Sequence, residues 1–201
     1  MVFSKVKEAL EARGFSVVVC PTKEAASSYL NAEIDDTTVG FGGSVTLQEM
    51  GLYDSLSKHN TVHNHWCVPE DRTPDEVRAA AMNTQVYVTS VNGLAETGEL
   101  INIDGTGNRV ASTLFGHKKV YFVVGRNKLA PDYDEALWRA RNIAGPKNAQ
   151  RLGRKTPCAV NGDKCYDCSS PERICGALVV HWRPMTGCEA EVVLVDEDLG
   201  Y

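Results

Sequence analysis

Val86-Tyr-Val-Thr-Ser-Val-Asn-Gly-Leu-Ala-Glu-Thr-Gly-Glu-Leu-Ile-Asn-Ile-Asp104 is the stretch whose reading decides the fold. An apolar run, Val86 to Val91, ends in Asn92-Gly93, and a second run (Leu100, Ile101, Ile103) follows Gly98. Short apolar runs bounded by glycine and asparagine read as buried strands. Ala95-Glu96-Thr97 lies between them, and open α/β sheets take ligands beyond the carboxyl ends of their strands. An earlier stretch, Val39-Gly-Phe-Gly-Gly-Ser-Val-Thr46, has the same form of strand, glycines and hydroxyl. The two loops are expected to line one cleft, with Gly42, Gly43 and Ser44 on one side and Glu96, Thr97 and Gly98 on the other.

Outward from this stretch, strand and helix patterns alternate. Ser4 to Arg13 reads as an amphipathic helix with Val6 and Leu10 at i, i+4, stopped by Gly14. Phe15 to Cys20 and Lys119 to Val124 are continuous apolar runs, as buried parallel strands are. Thr22 caps a helix, and Thr73-Pro-Asp-Glu76 combines a cap, a first-turn proline and a glutamate at the third position. A strand is expected at Thr61 to Val68 and a helix at Asn108 to Phe115. A helix capped by Asp132 is expected to break at Gly145-Pro146, and two strands near 176–183 and 191–195 close the chain. The alternation predicts a three-layer α/β fold, a mainly parallel sheet with helices on both faces.

At 201 residues, 43% hydrophobic and 23% charged, the chain has the composition of one globular domain. A net charge of −5 without a basic run argues against nucleic-acid binding. No apolar stretch reaches membrane-spanning length, and the N-terminus lacks the apolar core of a signal peptide. The expected location is the cytoplasm, where cysteines stay reduced unless they bind metal or do redox work.

Residues 153–175 change character, carrying four cysteines and few large apolar groups. Cys158, Cys165, Cys168 and Cys175 follow a C-x6-C-x2-C-x6-C pattern. Four thiolates suit tetrahedral zinc or an iron–sulfur cluster. Reduced thiols in an irregular loop and a redox Cys165-x-x-Cys168 pair are the alternatives. A stretch that buries so little apolar surface needs another source of order, and metal–thiolate bonds would supply it. His63, His65 and Cys67 alternate along an expected strand and so share a face, as ligands or as ordinary hydrogen-bonded side chains. Asn108-Arg109 and Arg126-Asn127-Lys128, near strand ends, are candidates for binding a small anion.

Gly42-Gly43-Ser44, Asn92 to Gly98, Gly107-Asn108-Arg109, Thr156-Pro-Cys158 and the cysteines up to Cys175 resemble the lactate-utilisation (LUD) domain family. The resemblance spans about Lys5 to Leu194. It implies a NagB/RpiA/CoA-transferase-like fold and an accessory role in L-lactate oxidation beside iron–sulfur partner proteins. It also implies a ligand loop at Gly42-Gly43-Ser44, where backbone amides and a following helix would face an anion. Glu96 falls where enzymes of that fold keep an acidic catalytic group, a nucleophile in CoA transferases and a proton carrier in sugar isomerases. The motifs around it differ, and a loop carboxylate capping nearby amides is the plainer role. The competing functions are a lactate-oxidation subunit, a small-molecule enzyme acting on an anionic ligand, and a metal-stabilised binding protein.

Overall fold

The structure, a computed structural model, describes residues 3–201. In chain order the strands are β1 (Ser16–Cys20), β2 (Thr38–Phe41), β3 (Thr61–His63), β4 (Val86–Thr89), β5 (Gly93–Ala95), β6 (Leu100–Asp104), β7 (Lys119–Gly125), β8 (Leu129–Ala130), β9 (Ala177–His181) and β10 (Glu189–Val195). The helices are α1 (Ser4–Ala12), α2 (Lys23–Glu33), α3 (Val45–Glu49), α4 (Leu52–Leu56), α5 (Pro74–Ala81), α6 (Asn108–Leu114), α7 (Tyr133–Arg139), α8 (Gly145–Arg151) and α9 (Pro157–Asn161).

Six strands form a wholly parallel sheet in the order β1-β10-β7-β4-β2-β3. Side chains along a strand point alternately to its two faces, and β7 shows what that does here. Val120, Phe122 and Val124 join one core, together with Val6 and Leu10 of α1 and Leu94 and Leu100. Tyr121 and Val123 join the other, with Ala26 and Leu30 of α2, Leu47 of α3, and Leu52 and Leu56 of α4. This is the three-layer α/β arrangement that the alternation predicts.

The layering on the first face is richer than the sequence suggests. A second sheet, β8-β5-β6-β9, lies there, with β6 antiparallel to both of its neighbours. Its outer side is covered by α7 and the turn that follows it, with Ala136 and Ala140 packing on Ala95, Ile101 and Ala130. The approach of α7 is so close that a Cβ on Gly93 would lie 2.5 Å from the Ala136 carbonyl oxygen. Glycine is required at that point of contact.

The caps read at Thr22, Thr73 and Asp132 are formed, whereas the capping box read from the spacing of Thr46 and Glu49 is not, because Ser44 caps α3 instead. Thr22 Oγ1 accepts from the Ala25 amide, Asp132 from the Glu135 amide, and Thr73 and Glu76 complete a reciprocal capping box. Gly145-Pro146 does not break its helix. The chain runs from α7 through a π turn, Ala140–Ala144, into α8, with the Gly145 amide donating to the Ala140 carbonyl. The wider turn resets the register, so that Pro146 falls in the first turn of α8, where its missing N–H is not needed.

Candidate functional site

A cavity of about 580 Å³ opens at the carboxyl ends of the parallel strands. Gly43 and Ser44 enter it after β2, His65 and Trp66 after β3, Ser90 and Asn92 after β4, and Lys128 after β7. The facing wall comes from the β6–α6 turn, from α8, and from Pro171 to Cys175 of the cysteine segment. Its size is that of a small-molecule site, for which about 300–1,000 Å³ is usual. Its charge is one-sided. Arg78, Arg109, Lys128, Arg151, Arg154 and Arg173 face only Asp104 and Glu172. Both carboxylates already accept from backbone amides, Asp104 from Gly105 and Val110, and Glu172 from Lys155. The excess of cations suits an anionic ligand.

Lys128 is the least ordinary of these cations. It is 3% exposed and has no carboxylate partner among the described residues. Its Nζ donates to Thr46 Oγ1 at 2.8 Å and to Ser90 Oγ at 2.9 Å. Those hydroxyls in turn donate to the Leu199 and Val123 carbonyls, so both meet the amine as acceptors. Burial pushes the ammonium down to about 7; Arg139 and Arg109 act in the same direction, and Glu49 acts against them. A 3-10 turn, Arg126–Lys128, at the end of β7 places the side chain there.

Arg109 knits the cavity floor. Its guanidinium donates to the Asn102 and Asn92 side chains and to the Ser90 and Ile103 carbonyls, with Asp104 3.8 Å away. Arg109 lines the cavity and at the same time holds Asn92 and the β6–α6 turn. Asn108 lines the cavity beside it. Gly42 continues the ladder by donating to the Val88 carbonyl and sits where a Cβ would meet Thr89 Oγ1 at 2.6 Å. It packs the sheet, while Gly43 and Ser44 reach the cavity. Ser44 caps α3, a helix of only five residues, so little dipole stands behind this loop.

The expected strand from Thr61 to Val68 ends at His63. Asn64 folds the chain into a turn, its Oδ1 accepting from the Trp66 amide and its carbonyl from the Cys67 amide. The alternation that would put His63, His65 and Cys67 on one face is thereby lost. His65 alone of the three lines the cavity. Its Nδ1 is buried without a partner among the described residues, and burial beside Arg78 holds it below the usual imidazole range, against the pull of Asp104.

Glu96, Thr97 and Gly98 do not join Gly43 and Ser44. The main-sheet strand ends at Thr89, and the cavity takes Ser90 to Asn92. From there β5 leads away, the chain turns at 96–99, and β6 brings Ile103 and Asp104 back. The hairpin carries its tip to α1. Glu96 pairs with Lys5 at 2.8 Å, the Thr97 carbonyl accepts from Arg13, and Gly98 packs on Arg13. The expectation of one cleft shared by the two loops is corrected accordingly.

All seven cysteines are free thiols. In the cysteine segment Arg173 ties the chain together, donating to Asp167, to the Cys168 carbonyl and to the Cys175 carbonyl. Arg141 adds an ion pair to Asp167 at 3.4 Å, and the Gly176 amide donates to the Asp104 carbonyl. Burial pushes the Cys175 thiol up against the pull of Arg173, and nearby Cys165 and Cys158 add to the rise. These three thiols are thus electrostatic neighbours. No group of three His, Cys, Asp or Glu side chains among the described residues is gathered closely enough to hold a metal ion as it stands.

Ser90, Arg78 and Arg154 carry no signal in the sequence. Ser90 sits inside an apolar run, and the two arginines approach from places far apart in the chain, Arg78 from α5 and Arg154 from the segment after α8.

No curated protein matches the chain. Among solved structures it is similar to a DUF162 family protein from Deinococcus radiodurans, at 11% identity over 96% of each chain and a TM-score of 0.56. At that identity the likeness speaks for the fold. The model of the LUD domain family matches residues 3–195, and the chain belongs to that family.

Proposed function

We propose that this protein serves lactate utilisation by binding a small anionic metabolite, a carboxylate in the first instance, in the cavity at the strand carboxyl ends. The observation that carries the reading is the excess of cations around a cavity whose own carboxylates are already engaged. Membership of the LUD domain family supports the wider role, work as an accessory subunit of L-lactate oxidation beside iron–sulfur partner proteins. Seven free thiols agree with a reducing compartment such as the cytoplasm. No helix among the described residues is long and apolar enough to cross a membrane.

Arg154 is the cation to test. Its side chain is exposed at the cavity and has no hydrogen bond or ion pair among the described residues. Calorimetric titration at low salt with L-lactate, pyruvate and phosphate should show binding of at least one. Arg154→Gln should weaken it about tenfold, the scale of one charge-assisted hydrogen bond. Absence of binding by all three would remove the reading.

A second reading is favoured by the C-x6-C-x2-C-x6-C pattern, in which Cys158 and Cys165 both act on the Cys175 thiol. Together with Cys168 they form a thiolate set of the kind that takes zinc or an iron–sulfur cluster. Such a centre, when bound, would fix the segment or carry single electrons. The residues fit in chemistry, and they would have to draw together to ligate. Anaerobic purification with metal analysis and a visible spectrum tests this. Metal that remains stoichiometric in Cys158→Ser and Cys175→Ser would rule out a four-cysteine centre.

A further inference from the structure

We propose that Lys128 is an amine nucleophile that forms an imine with the carbonyl group of a small anionic carbonyl compound held in the cavity. The proposal rests on the anion-binding reading above and adds a reactive group and a substrate class to it.

The geometry around Nζ carries the argument. A buried lysine ordinarily meets a carboxylate, because an unpaired buried charge is costly. Lys128 meets two hydroxyls instead, and both have committed their protons to carbonyls. A neutral amine is matched to that setting. Its two N–H groups donate to Thr46 and Ser90, and its lone pair takes the remaining tetrahedral direction. Lys128 lines the cavity, so an electrophile in the cavity can meet that lone pair. The neighbouring cations, Arg139 and Arg109, favour the neutral form further, which is how lysines that form Schiff bases are activated. Arg78, Arg151 and Arg154 are placed to hold the anionic end of the same molecule.

The step balances without an oxidant or reductant. The Nζ lone pair forms a bond to the carbonyl carbon as the carbon–oxygen π bond breaks toward oxygen. The oxygen gains a proton and the nitrogen loses one through solvent in the open cavity, giving a carbinolamine. Nitrogen then forms the double bond to carbon as the hydroxyl leaves, the remaining nitrogen proton passing through solvent to that oxygen, and one water is the only product released.

Two sources of an anionic carbonyl share this chemistry, a 2-oxo carboxylate and a ketose phosphate. The test incubates the whole protein with pyruvate, or separately with dihydroxyacetone phosphate, in the presence of cyanoborohydride. Intact mass and peptide mapping follow. The expected result is a single reduced adduct on Lys128, formed at least tenfold faster than on any other lysine and lost in Lys128→Met. The probe that labels identifies the source. Labelling spread evenly over surface lysines, or unchanged in Lys128→Met, overturns the proposal. So does calorimetric binding of pyruvate or phosphate without any adduct, and in that case the anion-binding reading survives. If nothing binds and nothing labels, both fall.

Discussion

Replacing Lys128 with methionine should stabilise the protein, by an amount that depends on pH. Methionine keeps the length and flexibility of the side chain without its amine. The cost of the amine follows from its setting. Burial and nearby arginines bring it from the ordinary 10.5 to about 7. Each tenfold change in proton affinity is worth about 1.4 kcal/mol. A folded protein that leaves the amine neutral while the unfolded chain protonates it therefore forgoes about 5 kcal/mol at low pH. Methionine loses two hydrogen bonds, to Thr46 and Ser90, at about 1 kcal/mol each. The net gain is about 3 kcal/mol at pH 6. The sign with pH is fixed by linkage. Above pH 10.5 neither state binds the proton and the amine carries no penalty. The penalty grows as pH falls from 10.5 toward 7, because only the unfolded chain takes the proton up, and it is complete below 7. By pH 9 the advantage of the variant should have shrunk to near zero. Urea titrations of both proteins at pH 6 and pH 9, extrapolated linearly, measure the gap directly. A gap that does not change with pH, or a variant less stable at pH 6, would refute the reasoning and make Lys128 an ordinary stabilising cation.

Three other outcomes are expected. Gly93→Ala drives a Cβ against the Ala136 carbonyl and should lower the urea midpoint, by about 3 kcal/mol or more in stability, since backbone on both sides leaves nothing to yield. Glu96→Gln removes an exposed pair with Lys5; it should change stability by less than about 1 kcal/mol and leave calorimetric anion binding unaltered. Arg173→Ala cuts the hydrogen bonds to Asp167, Cys168 and Cys175, so limited proteolysis within 162–175 should quicken several-fold while the global urea midpoint barely moves.

The largest difference between sequence and structure lies in residues 90–104. The apolar runs were legible as strands, yet a run does not state which sheet it joins. Val86 to Thr89 enters the parallel sheet, and Gly93 to Ala95 enters the small one after only three intervening residues. That switch sends Glu96 toward Lys5 and makes Ser90 and Asn92 the residues that face a ligand. The expected strand through Val68 failed for a similar local reason. Asn64, with its side-chain and backbone acceptors, turns the chain before the alternation of His63, His65 and Cys67 can hold.

By itself the sequence determined the parallel α/β sheet, most of its strands, most of the helix caps and the Gly43-Ser44 loop at a strand end. These follow from short-range physics: apolar runs that must be buried, alternation along a strand, and side chains that satisfy the first amides of a helix. The tertiary structure alone decided the second sheet, the destination of the Glu96 turn and the company kept by Lys128. Those depend on residues distant in the chain, such as Thr46, Ser90, Arg109 and Arg139, and the proton affinity of Lys128 is set by the burial and the charges that only folding brings to it.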